Sequence, residues 1–301
     1  MQPVNTVSIS ASTTEVADAI KNSNGLLFLT DVGLAPMRQI QDTMDQLAAA
    51  PHVGRALNEA YTKNKVYKDS FGSGQGGDTV DQKSVLDLSP ERIEKIKEAA
   101  PDLAAEWLPF WEHLRENVSP AIIAALSEAV GSDVQPLSSH CNYRMVDYYE
   151  RPAGCRPPRC GEHRDFGSFS LIFANCPGLQ VWHESASSWS AVPAAPPGSA
   201  LLLFGWCTQI RSNGRIPARL HRVTDTVSAE GVVPRRTSAV LFVGPKDTET
   251  PLEPVVLEGE ERRYVSGVKV GQLRGGMARK WRHREGTLSQ VHGDNHDVLP
   301  S

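Results

Sequence analysis

The chain of 301 residues is 40% hydrophobic and 22% charged, with a formal net charge of -4; it can bury the core of one large domain or two small ones, and no basic stripe points to nucleic acid or an anionic membrane. Its longest apolar run, "ALLLFGW" at 200–206, is too short to cross a bilayer, and "MQPVNTVSIS" lacks the basic-then-apolar pattern of a secretory signal. Five cysteines without CxxC spacing favour reduced thiols in a cytoplasmic protein over a disulfide framework.

The first 130 residues read mainly as helix. "TEVADAIKNS" leads into a short apolar strand, "GLLFLTDV", and "APMRQIQDTMDQLAAA" spaces Met37, Ile40, Met44 and Leu47 along one helical face. "GSGQGG" at 72–77 has the letters of a nucleotide-binding loop without the strand and helix that such a loop joins, so it reads as an ordinary loop. "LSPERIEKIKEAA" places Ser89 as an N-cap and Pro90 at the first helical position. "LAAEWLPFWEHLRENVSPAIIAALSEAVG" continues as one or two helices with an interruption near Pro120.

After residue 138 the period changes. "HCNYRMVDYYER", "FGSFSLIFAN", "GLQVWHE", "SSWSAVP", "SALLLFGWC", "RLHRVTD" and "RRTSAVLFVGP" are short, β-rich and separated by turn residues. Such spacing predicts a sandwich or jelly roll, hence an α+β chain with a mainly β core. Three regions are expected: a helical front at 1–137, a β core at 138–250 and a C-terminal return at 251–301. The return holds one helix around 269–282 and a loose tail, "HGDNHDVLPS".

The stretch "GEHRDFGSFSLIFAN" contains "HRDFG", which fuses two protein-kinase signatures. Kinases need the two motifs apart, with a metal-binding Asn five residues after the first Asp; here they share Asp165, and that position is Ser170. The kinase reading fails. On a strand, residues i and i+2 face the same way, so His163 and Asp165 can offer an imidazole and a carboxylate together. His221 in "RLHRVTD", 58 residues on (221 − 163), completes a two-histidine, one-carboxylate set that leaves three positions of a ferrous ion open. Taken alone, His221 reads more readily as a hydrogen-bonded core or edge histidine. Oxygen activation also needs electrons, and a 2-oxo acid can supply them if a guanidinium holds its far carboxylate. Arg236, inside an otherwise apolar strand, and Ser238, on the same face, suit that role.

The ordered series "NYRMVDYYERP", "GEHRDFGSFSLIF", "PGLQVWHE", "PPGSALLLFGWCTQIRSNGRIPARLHRVT" and "RRTSAVLFVGP" resembles the 2-oxoglutarate and Fe(II)-dependent dioxygenases of the isopenicillin N synthase-like group. "NGLLFLTDVGL" and "DQKSVLDLSP" resemble that group's N-terminal region. The resemblance implies a double-stranded β-helix flanked by N-terminal helices, with iron held by His163, Asp165 and His221. It implies that Arg236 and Ser238 hold 2-oxoglutarate, with Tyr149 as a further ligand and Tyr148 on the other face; Asp147 stands where the group has Asn. Phe242 falls at a substrate-side aromatic position. Trp182, Trp206, Arg144, Arg215 and Arg219 are further substrate-side candidates, each also readable as core or solvated surface.

The implied activity uses Fe(II), 2-oxoglutarate and O2, releases succinate and CO2, and oxidises a C–H bond of a small molecule. "GEHRDFG" is similar to fungal members that tailor aromatic polyketides, including by ring expansion to a tropolone. Two alternatives stand beside it: an iron oxidase of the same fold that does without 2-oxoglutarate, and a non-enzymatic jelly-roll module with a structural metal.

Overall fold

The computed structural model describes residues 4–59, 67–69, 83–154, 159–229 and 231–277. "GSGQGG", Cys155 and the tail "HGDNHDVLPS" lie outside the described residues. The other four cysteines, 141, 160, 176 and 207, are free thiols.

Strand β1 (Thr6–Ser8) is followed by helix α1 (Thr13–Lys21). Ser12 closes the start of α1 reciprocally: its hydroxyl accepts from the Glu15 backbone at 3.3 Å, and the Glu15 carboxylate accepts from the Ser12 backbone at 3.0 Å. Next come β2 (Leu26–Thr30), α2 (Met37–Ala49), α3 (Pro51–Glu59), β3 (Tyr67–Asp69) and β4 (Ser84–Leu88). Ser89 caps α4 (Pro90–Ala99) as its sequence predicts, with Pro90 in the first turn. Two short helices follow, α5 (Pro101–Ala105) and α6 (Leu108–His113). The expected interruption lies earlier than Pro120, in a π turn over Leu114–Val118. Pro120 instead lies at the start of α7 (Ser119–Val130), directly after that π turn.

The remaining strands are β5 (His140–Tyr148), β6 (Arg151–Pro152), β7 (Cys160–His163), β8 (Phe169–Ala174), β9 (Leu179–His183), β10 (Ser188–Ala191) and β11 (Ala200–Phe204). The expected strand through "SALLLFGWC" stops at Phe204, and Trp206 begins a short helix, α8 (Trp206–Arg211). Then come β12 (His221–Val223), β13 (Val232–Val233), β14 (Arg236–Gly244), β15 (Pro251–Leu252) and β16 (Val268–Lys269). A helix occupies 270–277, the described part of the expected C-terminal helix.

Two sheets carry the architecture. The larger runs β1-β2-β11-β8-β14-β5-β4-β3 and is antiparallel except for the β1–β2 pair. The smaller is antiparallel, in the order β10-β9-β12-β7. Helices make up most of the front, which also feeds the large sheet. Four strands from the first 90 residues join the large sheet, two at each edge. They are only three to five residues long; β2 lies in the expected strand "GLLFLTDV", and the other three are too short to stand out by periodicity.

Alternation along the strands divides the large sheet into two faces. Cys141, Tyr143 and Met145 of β5, Phe169, Leu171 and Phe173 of β8, and Ala239, Leu241 and Val243 of β14 pack with the buried faces of α1, α2, α4 and α7. The opposite parity, Val146 and Tyr148 of β5 with Leu201 and Leu203 of β11, packs against Leu179 and Val181 of β9 and Val223 of β12. The second cluster thus lies between the two sheets, and side chains on that parity form the inner face. This α+β jelly-roll core leaves one end of the inner face polar.

One ion-pair chain fastens α2 to the sheet. Arg235 donates to both oxygens of Asp147, at 2.9 and 2.7 Å, and to Asp45 of α2 at 2.7 and 3.1 Å. Asp147 is fully buried on the helical face. Burial pushes its carboxyl above the ordinary value even against the Arg235 hydrogen bonds. A carboxyl raised in this way stabilises the fold most when protonated, and that contribution is lost as pH rises through the folded-state value. Arg235→Ala is expected to cost about 3 kcal/mol in urea denaturation at neutral pH, because it strands a buried charge. The deficit should shrink on acidification, and adding Asp147→Asn should recover most of it.

Candidate metal centre

Pairing of β7 with β12 places His163 and His221 directly opposite one another, with ring centroids 4.2 Å apart. Asp165 lies two residues past the end of β7 rather than on the strand, as the sequence pattern had implied. Its backbone is fixed instead by α8: the Trp206 N–H donates to the Asp165 carbonyl at 2.9 Å. That approach needs Gly205, since a Cβ there would fall 2.9 Å from the Asp165 carbonyl and 2.3 Å from that of Gly167. The result is convergence: Asp165 Oδ1 is 3.6 Å from His163 Nε2 and 3.8 Å from His221 Nε2. The three candidate ligand atoms lie within 4.8 Å of one another, the only such group among the described residues.

Surrounding groups fix which atoms face inward. His163 Nδ1 is 2.8 Å from the Gly161 carbonyl, and His221 Nδ1 is 3.0 Å from the Arg219 carbonyl. A carbonyl only accepts, so each Nδ1 carries the proton and each Nε2 presents its lone pair toward Asp165. The Ser170 hydroxyl donates to Asp165 Oδ2 at 2.6 Å, which turns Oδ1 to the histidines. Two neutral imidazoles and one carboxylate fit iron in the facial arrangement that leaves open positions.

Along the inner face, Arg236 is 4% exposed and Ser238 3%. Other buried arginines are well supplied with acceptors. Arg159, for example, donates to Asp225 and to the carbonyls of Tyr148, Tyr149, Val233 and Pro234. Arg236 has no hydrogen-bond acceptor among the described residues, and its Nε is fully shielded from water. Its guanidinium lies 5.5 Å from the centroid of the Tyr148 ring. A Cβ on Gly178 would come within 3.2 Å of its Cδ, so that glycine leaves the side chain its space. A buried, unanswered guanidinium is costly by itself and fits an anionic ligand.

The structure sorts the other sequence candidates. Arg144 and Phe242 share the inner face, the guanidinium lying 5.0 Å from the ring centroid. The tyrosine pair is reversed from expectation. Tyr148 stands opposite Arg236 on the inner face, whereas the Tyr149 hydroxyl bonds Ser84 Oγ at 2.7 Å, and Ser84 stands opposite the helix-facing Asp147. Trp182 follows the inward Val181, so it points out of the small sheet; it packs edge-on against Trp189 and donates to Glu184. Trp206 is 1% exposed in a separate apolar cluster with Leu137, Ile210 and Leu252. Arg215 clamps the C-terminal return, donating to Val255 O, Glu260 and Val130 O. Arg219 donates to the Trp182 carbonyl. Trp182, Trp206, Arg215 and Tyr149 thus lie away from the inner face of the large sheet, and Tyr148, Ser170, Asp87 and Asn142 lie on it. The strand parity that puts Asn142 and Arg144 on the polar face was the signal for Tyr148, six and four residues further on.

Residues 140–245 match the 2OG-Fe(II) oxygenase superfamily. Among curated relatives, the 2-oxoglutarate-dependent dioxygenase ecdG of Aspergillus rugulosus is 26% identical over 162 residues, covering 50% of this chain and 46% of that protein. The 2-oxoglutarate-Fe(II) type oxidoreductase ppzD of Metarhizium rileyi is 25% identical over 272 residues, covering 83% and 73%. The chain spans less than half the length of several of the curated relatives it matches. Among solved structures, the dioxygenase for auxin oxidation 1 from Arabidopsis thaliana, in its binary complex with 2-oxoglutarate, superimposes with a TM-score of 0.67 at 17% identity, covering 82% of this chain and 94% of that one. Its likeness shows the fold.

Ser170→Ala removes the hydroxyl that orients Asp165. Loss of such an outer hydrogen bond is expected to weaken divalent-ion binding by roughly 10–100-fold, read by Co(II) titration of the metal-free protein. His221→Ala should abolish the binding.

Proposed function

We propose that this chain is a non-haem Fe(II)- and 2-oxoglutarate-dependent dioxygenase of the isopenicillin N synthase-like group, built on a double-stranded β-helix at 138–250. The front at 1–137 and the return at 251–301 brace that core, and the enzyme works in the cytoplasm on a small metabolite. The observation that carries this reading is Arg236, a buried guanidinium without an acceptor among the described residues, which faces from the large sheet the space that the two histidines face from the small one. An iron oxidase without 2-oxoglutarate, or a structural metal module, leaves that charge unexplained.

His163 Nε2, Asp165 Oδ1 and His221 Nε2 are the proposed metal ligands. Once bound, Fe(II) supplies the oxygen chemistry that couples conversion of 2-oxoglutarate to succinate and CO2 with oxidation of a C–H bond. The chain's own residues do the positioning. Arg236 holds the distal carboxylate in a planar fork, Ser238 adds a donor from the same face, and the Tyr148 ring walls the guanidinium. Leu179, Val181, Leu201, Leu203 and Val223 line the space between the sheets and keep water from it. Phe242 places an aromatic wall beside Ser170, its cross-strand neighbour.

Curated relatives come from Aspergillus, Penicillium, Metarhizium and Trichoderma as well as from Oryza sativa; together with the "GEHRDFG" likeness, the reading taken is a fungal secondary-metabolite setting. In that setting the substrate is aromatic and polyketide-derived. The outcome is hydroxylation, or a rearrangement of the substrate radical such as ring expansion to a tropolone.

Anaerobic addition of Fe(II) and 2-oxoglutarate to the metal-free protein is expected to raise a metal-to-ligand charge-transfer band, and His163→Ala to abolish it. Arg236→Gln should raise the 2-oxoglutarate concentration at half-saturation by roughly 30-fold or more, the effect of losing about 2 kcal/mol or more from a buried charge pair. An unchanged half-saturation point in that variant would reject the anchoring role.

A further inference from the structure

The inner face carries a second guanidinium whose hydrogen-bonding capacity is only partly used. Arg144 stands opposite Val240 of β14 on one side and Asp87 of β4 on the other. Its Nε donates to Asp87 Oδ1 at 2.8 Å. Neither of its Nη atoms has an acceptor among the described residues, and the side chain is 40% exposed although it leaves the middle of a central strand. The guanidinium is held over the Phe242 ring.

Charge counting shows that Asp87 does not neutralise this site. The same carboxylate also accepts from Asn142 Nδ2 at 2.7 Å and from Arg92 Nη1 at 3.1 Å. One negative charge therefore answers two arginines, and the other carboxylate acting on Arg144 is Asp165, a candidate metal ligand whose charge a bound cation takes up. Burial pushes the Asp87 carboxyl up, but Arg144, Asn142 and Arg92 together hold it below its ordinary value, so it stays ionised and acts as a fixed acceptor. A purely structural Arg144 would need no open Nη edge, because Arg92 already pairs with Asp87.

Position separates Arg144 from the cosubstrate anchor. Phe242, under Arg144, is the direct cross-strand neighbour of Ser170, whose hydroxyl bonds Asp165. With strands about 4.8 Å apart, β5 lies roughly 10 Å from β8, within the length of a bicyclic ring bearing a carboxylate. Arg236 and Phe242 lie six residues apart on the same face of β14, with Ser238 and Val240 between them. The two guanidiniums thus serve different ligands: Arg236 is sealed in the interior, and Arg144 is open beside the candidate metal ligands.

We infer that the open Nη edge of Arg144 docks the carboxylate of an aromatic acid substrate, with Phe242 as the apolar wall beside its ring. This rests on the oxygenase reading and narrows its substrate to an anion. Asp87, Asn142 and Arg92 are the positioning residues, fixing the fork so that both Nη atoms face the ligand.

The test uses the Zn(II)-loaded protein saturated with 2-oxoglutarate, titrated calorimetrically with 2-naphthoate and with its neutral isostere 2-naphthamide. The wild type should prefer the carboxylate by about tenfold or more, the scale of one charge-assisted pair. Arg144→Gln should abolish the preference and Arg144→Lys keep part of it, while 2-oxoglutarate affinity stays unchanged in both. Equal affinity for acid and amide in the wild type, a preference that survives Arg144→Gln, or no binding of 2-naphthoate overturns the proposal. Loss of 2-oxoglutarate binding in Arg144→Gln also overturns it, since the anchor would then serve the cosubstrate. Failure of the wild type to bind 2-oxoglutarate rejects the oxygenase reading itself, a result distinguishable from any of these.

Discussion

Antiparallel pairing of β12 against β7 is the constraint on which the candidate centre depends. It sets His221 opposite His163, and a slip of one residue would turn one imidazole to the far side of the small sheet. The third member is placed by different means, through glycines where three backbones nearly touch. A Cβ on Gly167 would sit 2.3 Å from the Val243 carbonyl, and one on Gly205 would sit 2.3 Å from the Gly167 carbonyl. Strand register and close backbone approach therefore converge on one point. The outer hydrogen bonds from Gly161, Arg219 and Ser170 only finish the aim.

The same face of the large sheet separates its tasks by polarity. Toward the C-terminal end of β5, Val146 and Tyr148 are apolar neighbours that shield Arg236 from water. Toward the other end, Asn142, Arg144 and Asp87 form a polar cluster that stays open. A guanidinium behaves differently in these two settings. In the first, desolvation makes it demand an anion; in the second, a shared carboxylate orients it while water still reaches its free edge.

Much of this was legible in the sequence where a residue's role follows from spacing. His163, Asp165 and His221 were found because few alternatives fit their chemistry, and Arg236 because a charge inside "RRTSAVLFVGP" asks for a partner. The front was less legible. Strands as short as "SVLDL" carry too little periodicity to stand out between helices, and their pairing is decided by distant partners. Trp182 and Trp206 were placed by residue type rather than by parity or neighbourhood, so one proved to face outward and the other to sit in core. The tyrosines erred by one step. Parity counted from the buried Tyr143 and Met145 sends Tyr149 with them, to the helical side, and Tyr148 to the inner one.

The placement of the N-terminal strands at both flanks of the large sheet also governs how the chain comes together. β2 covers the margin of β11, pairing Leu29 with Ala200 across 171 positions (200 − 29), and β4 covers that of β5. During synthesis, the segments made early must wait for partners emerging much later, a high-contact-order topology that assembles slowly. Until they arrive, β2 and β4 present bare ladders of amide and carbonyl groups, the templates through which separate molecules associate. The stretch from 140 to 245 holds the candidate ligands, yet the margins of its large sheet are covered by strands that precede α4.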